Sequence, residues 1–143
     1  MNTIDLTDLE VLTLTIYGEA RGEPIEGQIA VGCVIRNRVV AGLYISYKAA
    51  CLAPLQFSCW NLNDPNYPIL EEIANKMSFS EIIGEPVLNQ CYWVATGIIH
   101  NSIKDNTHGS RNYLTTELLE SNPPSWAKRM KIVETIGNQT FLV

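Results

Sequence analysis

The chain has 143 residues, one domain by the usual size prior and long enough to bury a single core. With 46% hydrophobic and 17% charged residues, its composition is that of a compact globular protein and excludes a disordered one. A net charge of −5 argues against a sequence-independent nucleic-acid binder, which needs a basic footprint, but not against a neutral or mixed-charge glycan.

Residues 1–10 contain Asp5, Asp8 and Glu10 and no Lys or Arg, so they do not form a Sec-type signal peptide. No apolar run approaches the roughly 20 residues needed to cross a bilayer, so no stable membrane insertion is expected. The expectation is a chain that stays in the cytoplasm until another protein releases it. Thr7-Asp8-Leu9-Glu10 has the form of a capping box and predicts a helix from Thr7. Leu9, Leu12, Ile16 and Ala20 then mark one apolar stripe. Seven residues at about 100° each bring Glu19 to within roughly 20° of Leu12. Its carboxylate is therefore expected on the buried face. Burial raises a carboxyl pKa, which is how a protein keeps an acid protonated near neutral pH. A Glu at a helix end paired with Arg21 or another cation explains the spacing equally well.

Gly22 and Pro24 interrupt the pattern, and Pro24 suits the first position of a second helix running to about Val40. Ile29 to Ile35 has almost no polar face, which predicts a central helix. Gly27 and Gly32 allow close helix approach, Arg36 and Arg38 mark the emergence of the helix at the surface, and Gly42 stops it. Ala53 to Asn66 reads as a loop, with Asp64-Pro65-Asn66 as a turn. A short helix is expected over Pro68–Met77. A longer one is opened by Glu85-Pro86, with Val87, Cys91, Val94, Ala95, Ile98 and Ser102 on its stripe. Asp105–Ser110 is a loop and Asn112–Thr115 a short strand. Pro123-Pro124-Ser125-Trp126 is a turn leading to basic Lys128, Arg129 and Lys131. Ile132–Ile136 and Gln139–Val143 form a hairpin around Gly137-Asn138. The sum is an α+β domain, mainly α, with a small β element.

Metal ligation has little support: His100 and His108 are eight apart, and neither lies near a cysteine at a zinc-like spacing, so no cofactor is expected. Cys33, Cys51, Cys59 and Cys91 contain no Cys-x-x-Cys pair, and free thiols are the default for a chain with no export signal. Cys59 is the best candidate for a Cys–His nucleophile, against the commoner structural role of a buried thiol. Asn138-Gln139-Thr140 matches a glycosylation acceptor that a chain without an export signal would not expose to that machinery. In the loop Gln56–Asn61, Phe57 and Trp60 stand beside Gln56, Ser58 and Asn61. Flat apolar surfaces next to amides and hydroxyls suit sugars. Either aromatic alone reads better as closing the core; the cluster taken with a buried Glu19 favours a sugar site.

Tyr17-Gly18-Glu19-Ala20-Arg21-Gly22-Glu23-Pro24, Glu26-Gly27-Gln28-Ile29-Ala30-Val31 and Val34-Ile35-Arg36-Asn37-Arg38-Val39 closely resemble the SleB/CwlJ family of cell-wall hydrolases, the spore-cortex-lytic type. Gln56-Phe57-Ser58, Pro124-Ser125-Trp126-Ala127 and Ile136-Gly137-Asn138-Gln139-Thr140-Phe141 extend the resemblance over nearly the whole chain. It implies a lysozyme-like (lytic transglycosylase) fold and the glycan strands of peptidoglycan as partner; with the predicted elements filling the chain, the expectation is a single catalytic domain over 1–143 with no separate wall-binding domain. It also implies that Glu19 is the catalytic glutamate, that Gln56 and Ser58 are cleft residues, and that Tyr113 is part of an aromatic segment near the active site. One departure matters: the family has a Thr-His-aromatic-aromatic run where this chain reads Gly109-Ser110-Arg111-Asn112-Tyr113-Leu114. Tyr113 is carried over and His108 is not.

The resemblance implies lytic transglycosylation, for which one acid suffices. A hydrolysing muramidase normally needs a second carboxylate, and Glu23, Glu26 and Asp64 have no obvious claim. An amidase using a thiol or a metal, and an inactive glycan-binding module, are the other readings. A free-standing catalytic domain without an export signal resembles a phage or prophage endolysin that relies on a membrane-permeabilising, holin-like partner.

Overall fold

A computed structural model describes residues 3–76 and 84–143. Helix α1 spans Asp8–Ala20 and is started by both halves of the capping box. The Glu10 N–H donates to Thr7 Oγ1 at 3.1 Å, and the Thr7 N–H donates to Glu10 Oε1 at 2.9 Å. Every residue from Val11 to Ile16 is buried, so α1 is a central helix rather than one with a single apolar stripe. Thr13 and Thr15 tolerate that burial because their hydroxyls donate back to the Leu9 and Val11 carbonyls, both at 2.7 Å.

Helix α2, Ile25–Val40, starts one residue later than predicted, with Pro24 as its N-cap. It ends at Gly42 as expected. The Gly42 N–H reaches the Val39 carbonyl and the Leu43 N–H the Arg38 carbonyl, a Schellman closure that needs the φ of +80° Gly42 adopts. Gly32 faces Ile98 so closely that a Cβ would lie 2.8 Å from its Cγ1. Arg36 and Arg38 correct the sequence reading. They are 7% and 8% exposed and do not mark an emergence. Their guanidinium groups are held inside because irregular segments offer carbonyls with no helix or sheet partner: Arg36 Nη1 donates to Ile103 O and Arg38 Nε to Arg111 O, both at 2.8 Å.

Helix α3, Tyr47–Leu52, was not expected; six residues are too few for a periodic signal, and Ser46 caps it through the Ala49 N–H. A 3₁₀ turn at Ser58–Trp60 interrupts the predicted loop. Helix α4 spans Tyr67–Lys76, one residue ahead of the predicted start, and Met77 lies outside the described residues. Helix α5, Pro86–Ile99, is capped by the Glu85 side chain and packs on α1 and α2. Its buried stripe is Leu88, Cys91, Val94, Ala95 and Ile98. Val87 is 37% exposed and Ser102 falls beyond the helix end, so both leave the predicted stripe.

Strands β1 (Asn112–Thr115), β2 (Ile132–Ile136) and β3 (Gln139–Leu142) form an antiparallel sheet in the order β1-β3-β2. The predicted hairpin is present, and β1 closes its other side with Tyr113 opposite Phe141. Phe141 packs on Ala30 and Val34 of α2, fixing the sheet to the helical body. A short helix α6, Thr116–Ser121, follows β1. All four cysteines are free and buried, as expected. The result is mainly helical with one small sheet, the α+β class read from the sequence.

Candidate active site

Glu19 occupies the last turn of α1, and what makes it unusual is a residue far along the chain. Tyr113 on β1 donates its hydroxyl to Glu19 Oε1 at 3.0 Å. The β1–β3 register sets that tyrosine against Phe141, with ring centroids 5.5 Å apart. Cys59, on the 3₁₀ turn, approaches α1 because Gly18 has no side chain. A Cβ on Gly18 would lie 2.7 Å from Cys59 Cβ and 2.9 Å from its Sγ. Burial pushes the Glu19 carboxyl pKa up. The hydrogen bonds from Tyr113 and from the thiol and backbone of Cys59 oppose that push, and the negative charge of Asp64 adds to it.

Arg21, the cation expected for a bland ion pair, turns elsewhere. Its Nη2 donates to Asn66 Oδ1 at 2.7 Å, its Nη1 to the Tyr17 carbonyl, and its guanidinium lies over the Tyr17 ring. Glu23 is likewise engaged, accepting from the backbone and side chain of Asn138 and so pinning the hairpin turn to the α1–α2 corner. Glu26 is exposed. Asp64 accepts the Asn66 N–H at 2.8 Å and is the one of the three carboxylates whose charge registers at Glu19.

Cys59 is not poised as a nucleophile. Burial and the neighbouring Glu19 carboxylate push its thiol pKa far up, the reverse of what a reactive cysteine needs. His108 is exposed, with Nε2 3.4 Å from Glu134 Oε2. Among the described residues, no group of three or more His, Cys, Asp or Glu is placed to hold a metal.

A cleft of about 310 Å³ opens beside this pair, lined by Arg38, Leu55, Gln56, Asn112, Tyr113 and Trp126. Tyr113 thus joins the cleft lining to Glu19, which is not itself a lining residue, through its hydroxyl. Gln56 lines the cleft as expected, its Oε1 accepting from Arg38 Nη1 at 3.4 Å. Ser58 is exposed on the adjacent turn and is not part of this lining. The two aromatic residues proposed from the loop are placed differently. Phe57 is 3% exposed and lies under the Arg38 guanidinium. Trp60 is partly buried and spends its indole N–H on Thr15 Oγ1 at 2.9 Å. Both close the core, where an aromatic ring removes most area from water.

The aromatic surface the cleft does offer is Trp126, 44% exposed, and the lining also includes Leu55, 87% exposed at a φ of +64°. A leucine held in the left-handed region and left in water is strained without a packing reason, a combination that clusters at ligand sites. Arg38, Leu55, Asn112 and Trp126 were missed as site residues. The one available signal was the exposed-turn context of Trp126 after two prolines.

Comparison with known proteins agrees with this architecture. The spore cortex-lytic enzyme of Bacillus subtilis (strain 168) is 44% identical over 52 residues, which cover 36% of this chain and 17% of that protein. That of Oceanobacillus iheyensis is 51% identical over 37 residues, covering 26% of this chain and 13% of that protein. The matches thus span well under two thirds of these relatives. Among solved structures, the catalytic domain of the germination-specific lytic transglycosylase SleB from Bacillus anthracis superposes with a TM-score of 0.65 at 21% identity, covering 95% of this chain and 93% of that one. The Bacillus cereus SleB catalytic domain superposes with a TM-score of 0.61 at 21% identity, covering 95% and 89%. The shared fold is lysozyme-like. A family model described as Cell Wall Hydrolase matches residues 22–142, beginning just past Glu19, whose place in the site therefore rests on the geometry above. Since that match runs through both the cleft loop and the sheet carrying Tyr113, the chain belongs to the Cell Wall Hydrolase family, of the SleB/CwlJ type.

Proposed function

We propose that this protein cleaves the glycan strand of peptidoglycan between N-acetylmuramic acid and N-acetylglucosamine as a lytic transglycosylase, with Glu19 as its one acid and base. The observation that carries the reading is a half-buried carboxyl with a raised pKa, hydrogen-bonded to a Tyr113 that lines a cleft and with no cation paired to it among the described residues. Protonated Glu19 donates to the glycosidic oxygen as the muramoyl C1–O bond breaks, releasing the 4-hydroxyl of N-acetylglucosamine. The resulting carboxylate takes the proton of the muramoyl C6 hydroxyl while O6 bonds to C1. The 1,6-anhydro ring closes, no water is consumed and Glu19 is protonated again. One group serves both steps when its pKa lies near the working pH. Tyr113 steadies the carboxylate phase, and Trp126 and Leu55 offer apolar surface to the C–H faces of the sugars. The description of Bacillus anthracis SleB as a lytic transglycosylase supports the same reaction.

Asp64 supports a second reading. Its charge acts on Glu19, so it is the carboxylate that would activate a water in a muramidase. Mass spectrometry of fragments from purified sacculi separates the two. Anhydro-muropeptides, lighter by one water than reducing-end products, are expected. Reducing ends alone, with activity abolished in Asp64→Asn, would replace the transglycosylase by the muramidase.

A further inference from the structure

Arg38 is 8% exposed, yet no carboxylate among the described residues forms an ion pair with it. Its Nε and Nη1 bond neutral acceptors, the Arg111 carbonyl and the Gln56 side-chain oxygen. Its Nη2 has no hydrogen-bond partner among the described residues, and the Phe57 ring lies 5.3 Å from the guanidinium carbon. Burial lowers its pKa, and the groups that oppose that fall are the hydroxyls of Tyr113 and Tyr44 and the Cys51 thiol, none of them a carboxylate. Buried charges are ordinarily paired, because an unpaired one costs several kcal/mol. Acid is not scarce, with 15 acidic residues against 10 basic. Arg36, equally buried, makes the contrast: it borders none of the clefts described, and both its Nη atoms are bonded, to the Ile103 and Ile98 carbonyls and to Cys33 Sγ.

Arg38 instead lines two adjoining hollows. One is the 310 Å³ cleft that holds Tyr113 and Trp126; the other, about 360 Å³, shares Arg38, Gln56 and Asn112 with it and adds Arg111 and Tyr44. Val143 also lines this second hollow, its backbone oxygen accepting from the Lys131 N–H at 2.7 Å, and Asp105, four residues from the lining Gly109, is already held by Asn37, Thr107 and Gly109. We infer that the second hollow is an anion subsite in which Arg38, assisted by Arg111, binds a carboxylate carried on the muramoyl side of the glycan strand. The inference rests on the glycan-cleaving reading and adds which part of the substrate is recognised. N-acetylglucosamine bears no charge. The muramoyl unit adds a lactyl arm at C3 whose carboxylate is either free or extended by a peptide carrying carboxylates of its own. A guanidinium fork matches a carboxylate in two parallel hydrogen bonds, and Arg38 is already oriented by its neighbours.

The test uses the full chain with Glu19→Gln, which binds without turnover. Calorimetric titration compares four probes of equal backbone length: chitooligosaccharide, peptide-free glycan strands, the same strands with carboxylates converted to amides, and peptide-bearing strands. A charge-assisted hydrogen bond gives carboxylate-bearing strands an advantage on the order of tenfold over both neutral probes at low salt, shrinking as salt screens it. A preference shared by the peptide-free strands places the anion on the lactyl group; one confined to peptide-bearing strands places it on the stem. Equal affinity for all four overturns the inference while leaving the glycan reading intact, whereas binding of none overturns both. Arg38→Lys, checked by thermal melting, is expected to lose most of the preference. If that variant does not fold, the probe comparison still decides.

Discussion

The hydroxyl of Tyr113 can be removed without disturbing the packing of its ring, and that makes Tyr113→Phe the sharpest perturbation of this site. The ring stays against Phe141, so the melting temperature should move little. What is lost is one hydrogen bond of 3.0 Å to Glu19 Oε1. That bond favours the ionised carboxylate and is one of the forces holding the Glu19 pKa down against burial. A hydrogen bond to a charged group is worth about 1.5–3 kcal/mol, and each pKa unit is about 1.4 kcal/mol. Its loss should therefore raise the Glu19 pKa by about one unit or somewhat more. Protonated Glu19 is needed to donate to the leaving oxygen, so activity falls as pH rises through its pKa. The alkaline limb of the sacculus-clearing profile should move up by about one pH unit. The acidic half of the cycle should keep its rate, while the step in which the carboxylate takes a proton loses its steadying partner. An unmoved alkaline limb in a variant that melts normally would show that the limb does not report Glu19, and the assignment of acid and base to this carboxyl would fall with it.

Glu19→Gln should abolish clearing and raise thermal stability at neutral pH. Because burial lifts the Glu19 pKa above its ordinary 4.5, the folded chain holds that proton to higher pH than the unfolded one. Its contribution is intact below the unfolded value and lost as pH rises through the folded value, so calorimetry should show the variant's advantage at pH 7 vanish by about pH 4; an advantage that persists at pH 4 has another cause. Phe57→Ala and Trp126→Ala should part company: about 3–5 kcal/mol of stability lost for the buried ring, against weakened glycan binding with a near-unchanged urea midpoint for the exposed one. Loss of stability in Trp126→Ala comparable to that in Phe57→Ala would remove Trp126 from the cleft's working surface. Gly18→Ala places a Cβ against Cys59 and should cost about 1–3 kcal/mol as the 3₁₀ turn is displaced, with activity falling alongside; a neutral effect on both would mean that the close approach is dispensable.

Local signals in the chain were strong where local physics is sufficient. The capping box at Thr7, the glycine closure at Gly42, the proline-opened α5 and the Gly137-Asn138 hairpin all depend on neighbours within a few residues. Helix α3 and helix α6 escaped because six residues are too short for hydrophobic periodicity to register. Arg36 and Arg38 were misplaced for a different reason. A charge looks like a surface marker until loop carbonyls distant in sequence are folded around it, and nothing near position 36 or 38 announces Ile103 or Arg111. Phe57 and Trp60 were read as a sugar platform for the same reason: an aromatic residue beside amides is equally compatible with facing the cleft or the core.

The sequence by itself determined that one carboxylate would share the Leu12 side of the first helix, because a seven-residue spacing returns nearly to the same angle around the axis. It also determined the mainly helical class and the C-terminal hairpin. Only the tertiary structure decided that this carboxylate meets Tyr113 rather than Arg21, that Glu23 is occupied by the hairpin turn, and that the cleft is walled by Trp126 and Leu55 over a buried Arg38. The Glu19–Tyr113 bond spans 94 residues of chain, and such a contact exists only after the sheet has docked on α2.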